Sequence, residues 1–101
     1  MIDEPVAQTT DPDGQKVVFD DRARGHLASR RPALLGQLDV ILGAVSLPDH
    51  REDDPIAGHA RFYRQNAIDP GRWLRVVVDF DELPGRIVTV LVQENDPRNE
   101  R

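Results

Sequence analysis

The chain has 101 residues, a formal net charge of −5 and 39% hydrophobic residues, without a single cysteine. A chain this short buries about 60–65% of its unfolded surface, enough for one core and too little for a two-domain nucleotide enzyme. Without thiols, disulfide scaffolds, cysteine nucleophiles, iron–sulfur clusters and cysteine-based zinc sites are all excluded.

The acidic start, Met1-Ile2-Asp3-Glu4-Pro5, has no apolar stretch of signal-peptide type. No apolar run approaches the roughly 18–20 residues of a spanning helix, so a cytoplasmic protein with no membrane contact is expected. Residues 1–15 combine Pro5, Asp11, Pro12, Asp13 and Gly14 with few apolar side chains. They are expected to form a disordered acidic tail, because burial cannot offset their ordering entropy. Lys16-Val17-Val18-Phe19 reads as a short strand. Asp20 or Asp21 then caps a first helix that ends at Arg30-Arg31-Pro32, since the residue before proline is pushed out of the helical region.

From Pro32 the apolar residues Leu34, Leu35, Leu38, Ile41, Leu42 and Val45 recur at helical spacing, giving a second helix with one apolar face. Gly36 and Gly43 each weaken it by about 1 kcal/mol relative to alanine, so packing must hold it. Residues 48–60 are polar and broken by Pro48, Pro55 and Gly58, and read as an acidic surface loop. Three β-type runs follow, Arg61 to Ala67, Trp73 to Phe80 and Arg86 to Gln93. Turn residues separate them at hairpin length, which predicts an antiparallel meander. The last residues, 95–101, are charged, contain Pro97 and are expected to fray. The sequence therefore predicts one α+β domain over residues 16–94: a short strand, two helices, and a three-stranded antiparallel meander packed on the helices.

Strand parity places chemistry on the face away from the helices. If Leu74, Val76, Val78 and Phe80 point inward, Arg75 points outward; if Phe62 points inward, Arg61, Tyr63 and Gln65 point outward. Two arginines and a tyrosine then share one face, where Arg61 and Arg75 would repel across the hairpin unless an anion or Asp79 lies between them. Residues 87–92 are too uniformly apolar for alternation to choose a face. Twelve of the thirteen cations are arginine, which suits bidentate phosphate contacts and equally an arginine-biased genome.

Particular residues extend these patterns: His26 on the first helix, Arg30-Arg31-Pro32 at the helix junction, Val45-x-x-Pro48-Asp49 leaving the second helix, Arg61-x-Tyr63-Arg64, Trp73 to Val78, and Ile87-Val88-Thr89. Together they resemble the RelE-like group, the barnase, EndoU, colicin and RelE type of ribonuclease, including phage and mobile-element toxin domains. The resemblance covers about three quarters of the chain. It implies a metal-independent endoribonuclease without cofactor, which cleaves RNA by attack of the neighbouring 2′-hydroxyl and is held in check by a cognate antitoxin. It further implies His26 as acid or base, Arg61 and Arg75 on the phosphate, and Tyr63 or Thr89 bonding it; Arg30, Arg31 and Trp73 complete the substrate contacts. The net acidity departs from the strongly basic character usual in the group. A non-catalytic protein-binding module on the same fold is the competing reading.

Each of these residues also has a plainer role. His26 on a polar helix can be solvated, Arg30 and Arg31 can complement a helix C-terminus, and Trp73 can serve the core. The cluster Asp49, His50, Glu52, Asp53 and Asp54, with His59 beyond it, has metal-friendly atoms without a recognised spacing, so no metal site is assigned. Asp11-x-Asp13-Gly14 lacks the glutamate that closes a calcium loop.

Overall fold

The computed structural model describes residues 6–99. Strands β1 (Ala7–Thr10), β2 (Lys16–Phe19), β3 (His50–Asp53), β4 (His59–Gln65), β5 (Trp73–Asp79) and β6 (Gly85–Gln93) form a single six-stranded mixed sheet in the order β1-β2-β6-β5-β4-β3. Helices α1 (Asp21–Arg30) and α2 (Leu38–Ser46) are joined by a 3-10 helix over Pro32–Gln37, and a further 3-10 turn spans Pro97–Asn99. All neighbouring pairs are antiparallel except β2 and β6, which run parallel and pair only at Val17↔Gly85 and Val18↔Arg86. The domain is α+β, with two helices and a wider sheet than a three-stranded meander. No helix among the described residues is long and apolar enough to cross a membrane.

Local chemistry sets the helices as the sequence indicates. The Asp20 carboxylate accepts a hydrogen bond from the Ala23 backbone N–H at 3.0 Å, Asp21 stands in the first turn and Arg30 in the last, each sign matched to the helix dipole. The expected single second helix divides in two. Pro32 opens a tight 3-10 segment and the α-helical ladder begins only at Leu38. From there Ile41, Ala44 and Val45 are fully buried, in one core with Leu27, Phe62, Leu74, Val76, Val78, Ile87 and Val90.

Three expectations about the polar segments are corrected. Residues 6–15 do not form a disordered tail: β1 pairs with all four residues of β2, and Asp11 closes the turn by accepting from the N–H groups of Asp13 (3.0 Å) and Gln15 (2.8 Å). Gly14, at φ 86°, supplies the left-handed residue of that turn. Backbone pairing stabilises this hairpin, and composition does not report backbone pairing; residues 1–5 lie outside the described residues. Residues 48–60 are not all loop, since β3 pairs with β4 from His50↔Tyr63 to Asp53↔Ala60. Arg51 anchors both edges: its guanidinium lies 4.7 Å from the Phe62 ring centre and bonds Asp11 at 3.2 Å and Asp13 at 2.8 Å. The C-terminal segment is also held over part of its length, because Pro97 is buried and Arg98 lies 5.0 Å over the Trp73 ring; residues 100 and 101 lie outside the described residues.

A bulge settles the face that periodicity left open. β5 and β6 pair as Val77↔Thr89 and then Val78↔Ile87, so Val88 is the extra residue. Ile87 and Val90 thereby both face the helices, and Thr89 joins the opposite face. Ile41 has no exposed surface, so Ile41→Ala is expected to cost about 2–4 kcal/mol. Leu38→Ala, at a partly buried position, should cost less; urea denaturation measures both.

Candidate functional site

The face of the sheet away from the helices carries the residues that parity brings together. Two cross-strand rows run over it: Tyr63–Arg75–Leu91, and beside it Arg61–Val77–Thr89. His50 and Glu52 of β3 extend them, opposite Tyr63 and Arg61. The expected placement of Arg61, Tyr63 and Arg75 on one face therefore holds, and Thr89 stands there too.

Their environments differ from the expected open surface. Tyr63 is fully buried, its ring 5.7 Å from the His50 ring and 6.4 Å, edge-on, from that of Trp73. Trp73 is buried as well, under Arg98, and so is not a free stacking platform. The Tyr63 hydroxyl and Arg75 Nε are both buried without a hydrogen-bond partner among the described residues. Such atoms are uncommon, because each forfeits its hydration without return. Here the two belong to register partners on adjacent strands.

Arg61 is already neutralised. Its Nε donates to Asp54 Oδ1 at 2.6 Å and its Nη1 lies 3.8 Å from Glu52, whose other oxygen is 2.8 Å from His50 Nε2. The hydrogen bond to Asp54 is the main reason the Arg61 pKa is raised further above its ordinary value. Burial by itself would raise the Asp54 pKa, yet the Ile56 N–H and Arg61 together hold it below the usual carboxylate value. The expected repulsion between Arg61 and Arg75 does not arise, because Arg61 faces Val77 and Arg75 faces Tyr63 across the strands, and Asp54 and Glu52, not Asp79, balance Arg61.

The remaining predicted residues gather at the flank. His26 is exposed on α1 and lines a cavity of about 330 Å³ with Arg30, Arg31, Thr89, Val90 and Leu91. Leu91 is also the register partner of Arg75, so one residue bordering this cavity stands one strand spacing, about 4.8 Å, from the Arg75 backbone. The predicted set thus forms two adjoining groups, His26, Arg30, Arg31 and Thr89 at the β6 border and Tyr63 and Arg75 further in, with Arg61 tied to carboxylates. Sequence reading passed over His50, Glu52 and Asp54 as loop residues. His50–Asp53 is polar at all four positions, so no hydrophobic alternation signals the strand.

A larger cavity of about 550 Å³ at the opposite end is lined by Asp13, Asp53 and Asp54 together with Arg51 and His59, a lining of excess negative charge that disfavours phosphate. Next to it His59, Asp79 and Asp81 could each turn one ligand atom toward a cation, all within 4.8 Å of one another. Asp79 is already offset by Arg86 at 3.8 Å, and its carboxylate lies 3.7 Å from His59 Nε2. Comparison with protein-family models, with curated proteins and with solved structures finds no match for this chain.

The Asp54–Arg61 pair has a pH signature. A carboxyl whose pKa is lowered on folding contributes stability above its unfolded pKa, and that contribution disappears as pH falls through the folded value. Asp54→Asn is therefore expected to destabilise the protein near neutral pH and to differ less from the parent well below about pH 4, the unperturbed carboxylate range. Denaturation midpoints at both pH values measure the change.

Proposed function

We propose that the protein is a metal-independent endoribonuclease of the RelE-like type, acting in the cytoplasm as a toxin or mobile-element nuclease controlled by an antitoxin. The observation that carries this reading is the pair of unpartnered buried atoms, Tyr63 hydroxyl and Arg75 Nε. They are two donors without acceptors, and Arg75 pairs across the sheet with Leu91, which borders a cavity lined by a histidine and two arginines. A phosphate supplies the acceptors such groups lack. The succession of β2, α1, α2 and the antiparallel strands β4 to β6 is compatible with a RelE-like core, here widened by β1 and β3.

In this reading RNA lies along the β6 border with its scissile phosphate above Arg75. His26 removes the proton from the 2′-hydroxyl, whose oxygen attacks phosphorus. The bond to the 5′-oxygen breaks, and a protonated group or water returns a proton to that oxygen. The products are a 2′,3′-cyclic phosphate and a 5′-hydroxyl end. The partly exposed guanidinium of Arg75 stabilises the charge of the phosphorane, where fixed donors contribute most, and the buried Tyr63 beside it acts as a positioning residue. Arg30, Arg31 and Thr89 hold the neighbouring phosphate. Arg61, committed to Asp54, acts as a positioning residue beside Tyr63 and not as the primary phosphate ligand.

Cleavage of single-stranded RNA in the presence of EDTA, with cyclic phosphate ends identified by mass spectrometry, tests the proposal. His26→Ala and Arg75→Ala are each expected to lower the rate by about 100-fold or more, the usual contribution of a positioned acid–base group or anion donor. Tyr63→Phe is the informative change at position 63, because alanine there would vacate a fully buried site. The binding-module reading draws on the neutralisation of Arg61 by Asp54 at 2.6 Å. It prevails if the intact protein cleaves no RNA and captures a protein through this face.

A further inference from the structure

The face of the sheet away from the helices carries two large aromatic side chains, Tyr63 and Trp73, that are 0% and 1% exposed. Arg61, Arg75, Thr89 and Leu91 on the same face stay partly exposed. The difference follows the C-terminal segment. Trp73 is the register partner of Gln93, the last residue of β6, so the chain that continues past Gln93 has only to fold back to reach it. It does so in the short turn Pro97–Asn99, which buries Pro97 and lays the Arg98 guanidinium 5.0 Å from the centre of the Trp73 ring.

Little ties this turn to the sheet. Among the described residues, every hydrogen bond of segment 95–99 stays within the segment or returns to Gln93. Arg98 donates to the Asp96 carboxylate from Nε at 3.0 Å, from Nη2 at 2.7 Å and from its own backbone N–H at 2.9 Å. The Asn99 N–H donates to the Asp96 carbonyl at 3.1 Å, and Gln93 Nε2 to the Asn95 carbonyl at 2.6 Å. The turn is therefore a preformed unit that rests on the face through Pro97 and Arg98. The Arg98 side chain is 52% exposed, and a hydrated cation holds an aromatic face only weakly. The closed arrangement also leaves the Tyr63 hydroxyl buried without a partner, which weighs against it.

We infer that the turn Pro97–Asn99 is a displaceable cover, with Arg98 filling the space above Trp73 that an unpaired RNA base takes when the turn lifts. The choice of RNA rests on the ribonuclease reading; the looseness of the cover does not. A base stacked on an aromatic ring is held more strongly than a solvated cation over it, so a base can replace Arg98. Trp73 and Arg75 project from the same side of β5, two residues or about 6.6 Å apart. A strand whose phosphate meets Arg75 can therefore lay a neighbouring base on Trp73. Stacking accepts any base, so the site selects unpaired strands and not a sequence. The cover lowers RNA affinity in proportion to the fraction of molecules in which it is closed.

Trp73 is the sole tryptophan, so its fluorescence reports on the site directly. The full-length protein is titrated with 2′-O-methyl hexaadenylate, which has no free 2′-hydroxyl and resists the proposed cleavage. Saturable quenching of Trp73 is expected, with the Arg98 side-chain NMR signals losing the shielding of the indole ring. Arg98→Ala should make Trp73 in the free protein more accessible to acrylamide and tighten hexaadenylate binding about threefold or more, the worth of an exposed cation–π contact. Asp96→Asn, which breaks the ion pair inside the turn, should act in the same direction. A hexamer of abasic sugar-phosphate units should leave both Trp73 and Arg98 unchanged. The inference is overturned if hexaadenylate affects neither residue, if the abasic hexamer acts equally, if Arg98→Ala weakens binding, or if both variants leave Trp73 as inaccessible as in the parent. RNA cleavage without an effect of hexaadenylate on Trp73 overturns the cover and keeps the ribonuclease reading; quenching by hexaadenylate without RNA cleavage does the reverse.

Discussion

The row Phe62–Val76–Val90, three strands wide and backed by Ile41 and Val45 of α2, is the contact on which the rest of the molecule depends. β5 stands between β4 and β6 and is buried on both sides, with Leu74, Val76 and Val78 toward the helices and Trp73 and Val77 away from them. A strand enclosed in this way fixes the register of both neighbours, because a slip of one residue would exchange its helix-facing side chains for Arg75. The position of Arg75 beside Tyr63 is therefore a consequence of core packing, and the outer face inherits its geometry from the inner one.

That outer face is neither a second core nor a solvated surface. Tyr63 and Trp73 are as buried as any core residue, yet the face also holds a chain of polar and charged groups from His50 through Glu52 and Arg61 to Asp54. Buried ionic groups persist where their partners are in place. Arg61 has such partners, whereas Arg75 Nε has no hydrogen-bond acceptor among the described residues. This difference between two arginines that look equivalent in sequence is what gives the face a direction, with the neutralised end toward β3 and the unpartnered donors toward β6.

Charge is partitioned along the same direction. Asp13, Asp53 and Asp54 collect around the cavity near the β1–β2 turn, while Arg22, Arg30, Arg31 and Arg86 line the cavities where α1 borders β6. A net charge of −5 therefore coexists with a locally basic border, and over distances beyond a Debye length of about 8–10 Å the two ends act separately on a ligand. Net charge alone is a poor guide to what such a protein binds.

Much of the architecture was legible in the chain itself. The Asp20 cap, the stop at Pro32, the apolar stripe through Ile41 and Val45, and the turns before Trp73 and after Phe80 are all local patterns. So is the alternation that sends Arg61, Tyr63 and Arg75 to one face, because side-chain direction in a strand follows from residue parity alone. The strands at Ala7–Thr10 and His50–Asp53 were not legible, since each is stabilised by backbone pairing to its hairpin partner, which side-chain composition does not report, and their polar side chains resemble loop. The face of Thr89 was decided by the bulge at Val88, a mismatch of two strands that neither contains alone. The burial of Tyr63 and the end of β2 pairing at Arg86 likewise arise only when segments far apart in the chain are brought together, and the capture of Arg61 by Asp54, seven residues away, only when β3 folds back on β4, because each is a relation between elements.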